Sequence, residues 1–128
     1  MSRKLQYEIG MYQRVLAVGS TPFERLSTMY IGAIRLSKQG LNAAQSGQSD
    51  LAAQKAERLI AIVRRLDLCL DFNIAPDLCK NLSNLYMHIQ VSLADSEIGN
   101  KPDTFAEALR LLETLWQGFK QAQAQTES

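Results

Sequence analysis

The chain has 128 residues, 46% of them hydrophobic, with 14 Lys and Arg set against 13 Asp and Glu. That length suits one domain closing a single core. A net charge of +1 without any run of Lys and Arg argues against a phosphate-neutralising stripe, and so against nucleic acid as a partner.

Residues 1–20 read as an irregular or short-helical arm. In "MSRKLQYEIGMYQRVLAVG" the apolar residues are interrupted by Gln, Glu and Gly, so no signal peptide is read. No apolar stretch approaches the roughly 20 residues of a membrane span. A soluble, cytoplasmic protein without membrane insertion is expected. The arm is nonetheless too apolar for a free tail: Ile9, Met11, Tyr12, Val15 and Leu16 predict a lid over a groove, with Ile9, Tyr12 and Val15 as its contacts and Tyr12 as its anchor.

A first helix is predicted over 22–46, capped by Ser20 or Thr21, with Pro22 in the first turn where its missing N–H costs nothing. Its core stripe is Phe23, Leu26, Tyr30, Ala33, Ile34, Ser37, Leu41 and Ala44. At about 100° per residue, Met29, Gly32, Leu36 and Gly40 fall on a second stripe. The turn "QSGQS" leads to a second helix over 50–72, capped by Ser49 or Asp50. Ala52, Ala56, Leu59, Val63, Leu66 and Leu70 form its core face, widened by Ile62 and Cys69. Asp67 and Asp71 lie one turn beyond Arg64 and Arg65 and read as salt-bridge partners rather than an acid/base pair.

"NIAPD" separates this from a third helix over 76–98, because the residue before Pro76 is driven from helical geometry while Pro76 suits a first turn. Leu78, Leu82, Leu85, Tyr86, Ile89 and Leu93 face the core. Met87, Val91, Ala94 and Ile98 form a second apolar stripe nearly opposite. After "GNKPD", Thr104 with Glu107 fits a capping box opening a fourth helix over 104–123. Phe105, Ala108, Leu109, Leu112, Leu115, Trp116 and Phe119 share its inner face, and the tail "QAQAQTES" is expected to fray. Short connections between long helices predict an all-α, antiparallel, up-down four-helix bundle forming one domain over 1–128.

The chemistry such bundles often carry is missing. A di-iron carboxylate site needs Glu-x-x-His pairs. The one histidine is His88, and Leu85 stands three residues before it. Cys69 and Cys79 have no metal-ligand spacing and read as reduced packing residues. No metal and no cofactor are expected. A lone histidine on a bundle raises a histidine phosphotransfer domain as a remote alternative, but "HIQVSLADS" lacks the Lys and Gly that follow the phosphorylated residue in such domains, so His88 reads as a rim residue. There is no phosphate loop or nucleophile elbow, and no enzyme is expected. The excess apolar surface points to binding.

Several residues stand in a familiar order: Tyr12, then Pro22 ten residues on, "MYIGAI" from Met29 to Ile34, Leu85–Tyr86, the loop "GNKPD", and Trp116. Over most of the chain this resembles the flagellin-specific export chaperones, also called flagellar secretion chaperones. The chain departs from that pattern at Ile31, where the family often has an acidic or amide residue, and at Met87, His88, Ser96 and Glu97. The resemblance implies a cytoplasmic chaperone that binds the disordered C-terminal segment of flagellin in a one-to-one complex. Such a chaperone prevents premature polymerisation and aids delivery to the flagellar type III export apparatus, with an export-gate component as a further contact. On that reading Met29, Gly32, Leu36, Gly40, Met87, Val91, Ala94 and Ile98 line grooves for client helices, and the free protein is a monomer or weak dimer. The alternative is a helical adaptor or dimerisation module with a different client.

Overall fold

The computed structural model describes Arg3, Ile9 and residues 23–127. Four helices follow one another: α1 (Phe23–Gln45), α2 (Ser49–Leu68), α3 (Pro76–Ala94) and α4 (Pro102–Glu127). No strand occurs among the described residues. Helix α1 packs against both α2 and α4, α2 packs in turn against α3, and α3 meets α4 along a thin seam. The four therefore form a ring in chain order, the all-α bundle that the apolar periodicity predicts. Helices α1 and α4 run antiparallel: Phe23 and Tyr30 meet Trp116, whereas Gly40 meets Phe105.

The junctions have specific local causes. After α1, Gly47 takes a φ of 73°. The Gln48 N–H then reaches the Ala43 carbonyl and the Gly47 N–H the Ala44 carbonyl, a closure that satisfies the last free carbonyls. Helix α2 ends at Leu68, short of the predicted Phe72. There the Cys69 N–H is shared between the Arg65 and Leu66 carbonyls, and the Asp71 carboxylate accepts the Asn73 N–H at 3.0 Å in a local turn. The buried Cys79 thiol also donates to the Asp71 carbonyl.

Helix α3 stops at Ala94 rather than Ile98, because the Asp95 carboxylate takes the N–H groups of Glu97 (2.7 Å) and Ile98 (3.2 Å). A short acidic side chain thus offers the backbone an alternative to the helical ladder. Helix α4 starts at Pro102, two residues before the predicted Thr104. Proline suits that first position. Thr104 is not the cap: its hydroxyl donates 2.6 Å to the Ile98 carbonyl and ties the loop to the helix. At the far end α4 continues to Glu127, beyond the predicted 123.

The core is aromatic on one side and aliphatic on the other. Tyr30 is sealed from solvent, stacks on Trp116 with centroids 5.4 Å apart and tilts against Phe119 at 5.6 Å. Phe23, two turns earlier, stacks on the same indole at 5.6 Å. Such pairs add about 0.5–1.5 kcal/mol beyond area burial. The Tyr30 hydroxyl crosses the centre of the ring to the Tyr86 hydroxyl on α3, 2.5 Å away. Ser37 occupies the core stripe without a polar cost because its hydroxyl donates to the Ala33 carbonyl at 2.8 Å. Leu59, Val63 and Leu66 from α2, Leu78, Leu82 and Ile89 from α3, and Leu112 and Leu115 from α4 complete the interior.

Burial, and after it the adjoining Tyr86 phenol, hold the Tyr30 hydroxyl well above its ordinary value of 10.0. A phenol in the unfolded chain ionises near pH ~10. The stability tied to Tyr30 is therefore complete below that pH and is lost as the pH climbs past it, since the unfolded state releases the proton first. Tyr30→Phe should cost about 1 kcal/mol near neutral pH from the lost hydroxyl contact. In urea titrations carried to alkaline pH the variant should lose stability less steeply than the wild type. Equal slopes would remove Tyr30 as the titrating group.

Candidate partner-binding surface

Helix α3 presents its two faces differently. Leu78, Leu82, Tyr86, Ile89 and Leu93 are buried, while Met87 and Val91 are 49% and 61% exposed and Ala94 is also exposed. The spacing of 87, 91 and 94 keeps these three on one line pointing away from the ring. Ile98 falls outside the helix, in the turn after Asp95, so the helical repeat does not place it on that line, though it is also 45% exposed. Ala94 also borders a groove of about 350 Å³ between α2 and α3, floored by Ala53, Ala56, Ile60 and Leu93. Glu57 and Asp95 give it a negative rim.

The matching stripe predicted on α1 lies elsewhere. Gly40 is buried, and a Cβ there would fall 2.2 Å from the Phe105 ring. Gly32 is half-buried and faces Ile62 of α2, whose Cδ1 would stand 3.4 Å from an added Cβ. Met29 and Leu36 are half-buried against the core. The second stripe of α1 is thus largely interior, because a helix with packed neighbours on two sides buries a wider arc than a helix with one. Gly40 is a packing residue, not a surface one.

Of the predicted lid, Ile9 is helical and fully buried in the core cluster. Tyr12 and Val15, with Met11 and Leu16, lie outside the described residues. His88 sits on the α4-facing edge of α3, where its Nε2–H donates to Glu107 Oε1 at 2.6 Å; both side chains are about half exposed. This pair spans the thin α3–α4 seam. Cys69 is exposed and Cys79 buried, neither in a disulfide. Among the described residues no cluster of His, Cys, Asp or Glu could hold a metal ion, and no helix is long and apolar enough to cross a membrane.

Sequence reasoning did not single out Leu68 and Phe72, 77% and 48% exposed at the end of α2, since both were assigned to a continuing helix. Leu68, the last residue of α2, faces outward because it lies about 200° around the helix from the buried Leu66, whereas Phe72 lies in the loop beyond the early stop. Ile31, 46% exposed on α1, stands out in the sequence only as a departure from the family's pattern and not as a surface residue.

The ring is all-helical among its described residues and leaves the apolar side chains of Met87 and Val91 on its outer surface. In comparison with known families, the pattern of the family described as flagellar protein FliS matches residues 5–126. The chain belongs to that family, one of flagellar chaperones and not of enzymes. No curated protein and no solved structure matches it.

The two α1 glycines make a paired test of where the stripe points. Gly32→Ala should be neutral or stabilise the fold by up to about 1 kcal/mol through helix propensity. Gly40→Ala should destabilise it by about 1–3 kcal/mol, because the Phe105 ring has to move in a packed core. Denaturant midpoints of the two variants check this, and equal effects would place Gly40 at the surface after all.

Proposed function

We propose that this protein is a cytoplasmic export chaperone that binds the disordered C-terminal segment of flagellin one-to-one, prevents its premature polymerisation and helps deliver it to the flagellar type III export apparatus. The observation that supports this reading is the exposed line Met87, Val91 and Ala94 on a helix whose opposite face is fully packed, with Ile98 exposed in the turn that follows. A client helix laid along that line places its apolar side chains on Met87 and Val91. The unbranched thioether of Met87 adapts to different client side chains. The small side chain of Ala94 lets the client approach the neighbouring α2–α3 groove.

A segment that folds as it binds gives up roughly 2–5 kcal/mol in ordering, so the contact has to extend over several turns. In this reading the exposed Ile98, in the turn after α3, is a further apolar contact for the client. On α1 the half-buried Met29, Gly32 and Leu36 contribute at the margins, and Gly40 does not contact the client. A lid role for the N-terminal arm, proposed for Ile9, Tyr12 and Val15, is supported at Ile9 alone by its complete burial.

The reading is tested by calorimetric titration with a peptide spanning the C-terminal segment of the host organism's flagellin, followed by circular dichroism. A saturable one-to-one gain of helix with a negative heat-capacity change is expected, weakened roughly tenfold or more in Val91→Asp and Met87→Asp. Both positions are exposed, so the variants should keep the wild-type melting temperature. A folded protein that ignores the peptide would overturn the reading. A client-free dimer dissociated by Val91→Asp would replace it with a dimerisation module.

A further inference from the structure

On the flank opposite the α2–α3 groove, α1 and α4 enclose a second groove of about 450 Å³. Two antiparallel rows line it at helical spacing: Ile31, Ile34, Arg35 and Lys38 from α1, and Glu113, Trp116 and Lys120 from α4. Each row spans two turns, roughly 11 Å at 1.5 Å per residue. Ile31 is nearly half exposed, Ile34 is half-buried, and the edge of Trp116 completes an apolar floor. Lys120 holds its ammonium 5.9 Å from the centre of the Trp116 ring.

The charge around this floor is one-sided. Arg35, Lys38 and Lys120 stand against Glu113 alone. Among the described residues the only ion pair is His88–Glu107, so none of these three cations is ion-paired to a described residue. The chain's own N-terminal segment is a poor occupant, because Arg3, Lys4 and Arg14 outweigh Glu8 and would carry positive charge into a positive groove.

We propose that the α1–α4 groove is a second docking site, which takes an acidic amphipathic helix of a partner protein. The partner's apolar side chains sit on Ile31, Ile34 and Trp116, and its carboxylates meet Arg35, Lys38 and Lys120 along both rims. Helix-in-groove recognition needs such an apolar floor with anchors one turn apart. The cations set selectivity and encounter rate more than affinity. The same helix would be rejected by the α2–α3 groove, where Glu57 and Asp95 repel it. The site lies apart from the Met87–Val91 line and does not depend on flagellin binding there.

The test uses a labelled synthetic helix of about five turns, with Leu at i, i+3, i+4 and i+7 and Glu on the flanking positions, and the same peptide with Lys replacing every Glu. Fluorescence anisotropy with the full chain should give saturable binding of the acidic peptide, with the basic one at least roughly tenfold weaker. Lys120→Glu and Lys38→Glu should each weaken the acidic peptide several-fold, Ile31→Asp should abolish its binding, and raising salt from ~0.05 to ~0.5 M should weaken it. Melting temperatures should stay near the wild-type value, because these side chains are exposed. Val91→Asp should leave this binding intact, which separates it from the client face. Equal binding of both peptides, or indifference to Lys120→Glu and Ile31→Asp, overturns the proposal. So does self-association of the chain that Lys120→Glu dissolves, since the groove would then be occupied by a second copy.

Discussion

Two phenols meeting at the centre of the ring set the registration of the whole bundle. Tyr30 and Tyr86 come from helices at opposite corners, and their hydroxyls lie 2.5 Å apart in an interior closed to water. A buried hydroxyl deprived of its partner loses the desolvation free energy that pairing would return. Sliding or rotating α1 against α3 breaks this contact, and the apolar contacts around it would resist such movement far less selectively. Tyr30 also stacks on Trp116 and leans on Phe119, so the same residue sets α4. With Tyr86 held inward, the helical repeat sends Met87 and Val91 outward.

Periodicity carries the fold and leaves the ends of helices to local chemistry. The four apolar stripes at a spacing near 3.6 residues define four helices, and the breaks at "QSGQS", "NIAPD" and "GNKPD" separate them. Helices α2 and α3 end early because Asp71 and Asp95 divert backbone N–H groups into turns, a competition invisible in a count of apolar residues. Thr104 satisfies a capping pattern in the sequence, yet its hydroxyl serves the Ile98 carbonyl, because Pro102 starts the helix first.

The surface was half legible for a geometric reason. A second apolar stripe indicates that a helix has two apolar sides, not what lies against each. On α3 the second side faces outward, and the residues named from the sequence are the exposed ones. On α1 the neighbours α2 and α4 occupy both flanks, so Gly32 and Gly40 mark close approaches inside the molecule. Two mid-helix glycines signal close contact, but only the packed structure shows that an aromatic ring from α4 fills the space at Gly40. Ile31, visible in the sequence as a departure from the family's pattern, gains meaning only beside Trp116 and Lys120, more than eighty residues away in the chain.

The near-zero net charge hides a transverse polarity. Arg35, Lys38 and Lys120 lie along one seam of the ring and Glu57 and Asp95 along the seam across from it. Because the net charge is small and these groove charges differ in sign, they would turn an approaching polypeptide more than they would pull it. This torque acts within the ~8 Å that physiological salt leaves unscreened, just before contact. A chain with its own gradient of charge, wrapping around the ring, would find one direction of travel favoured over the other before any side chain had docked.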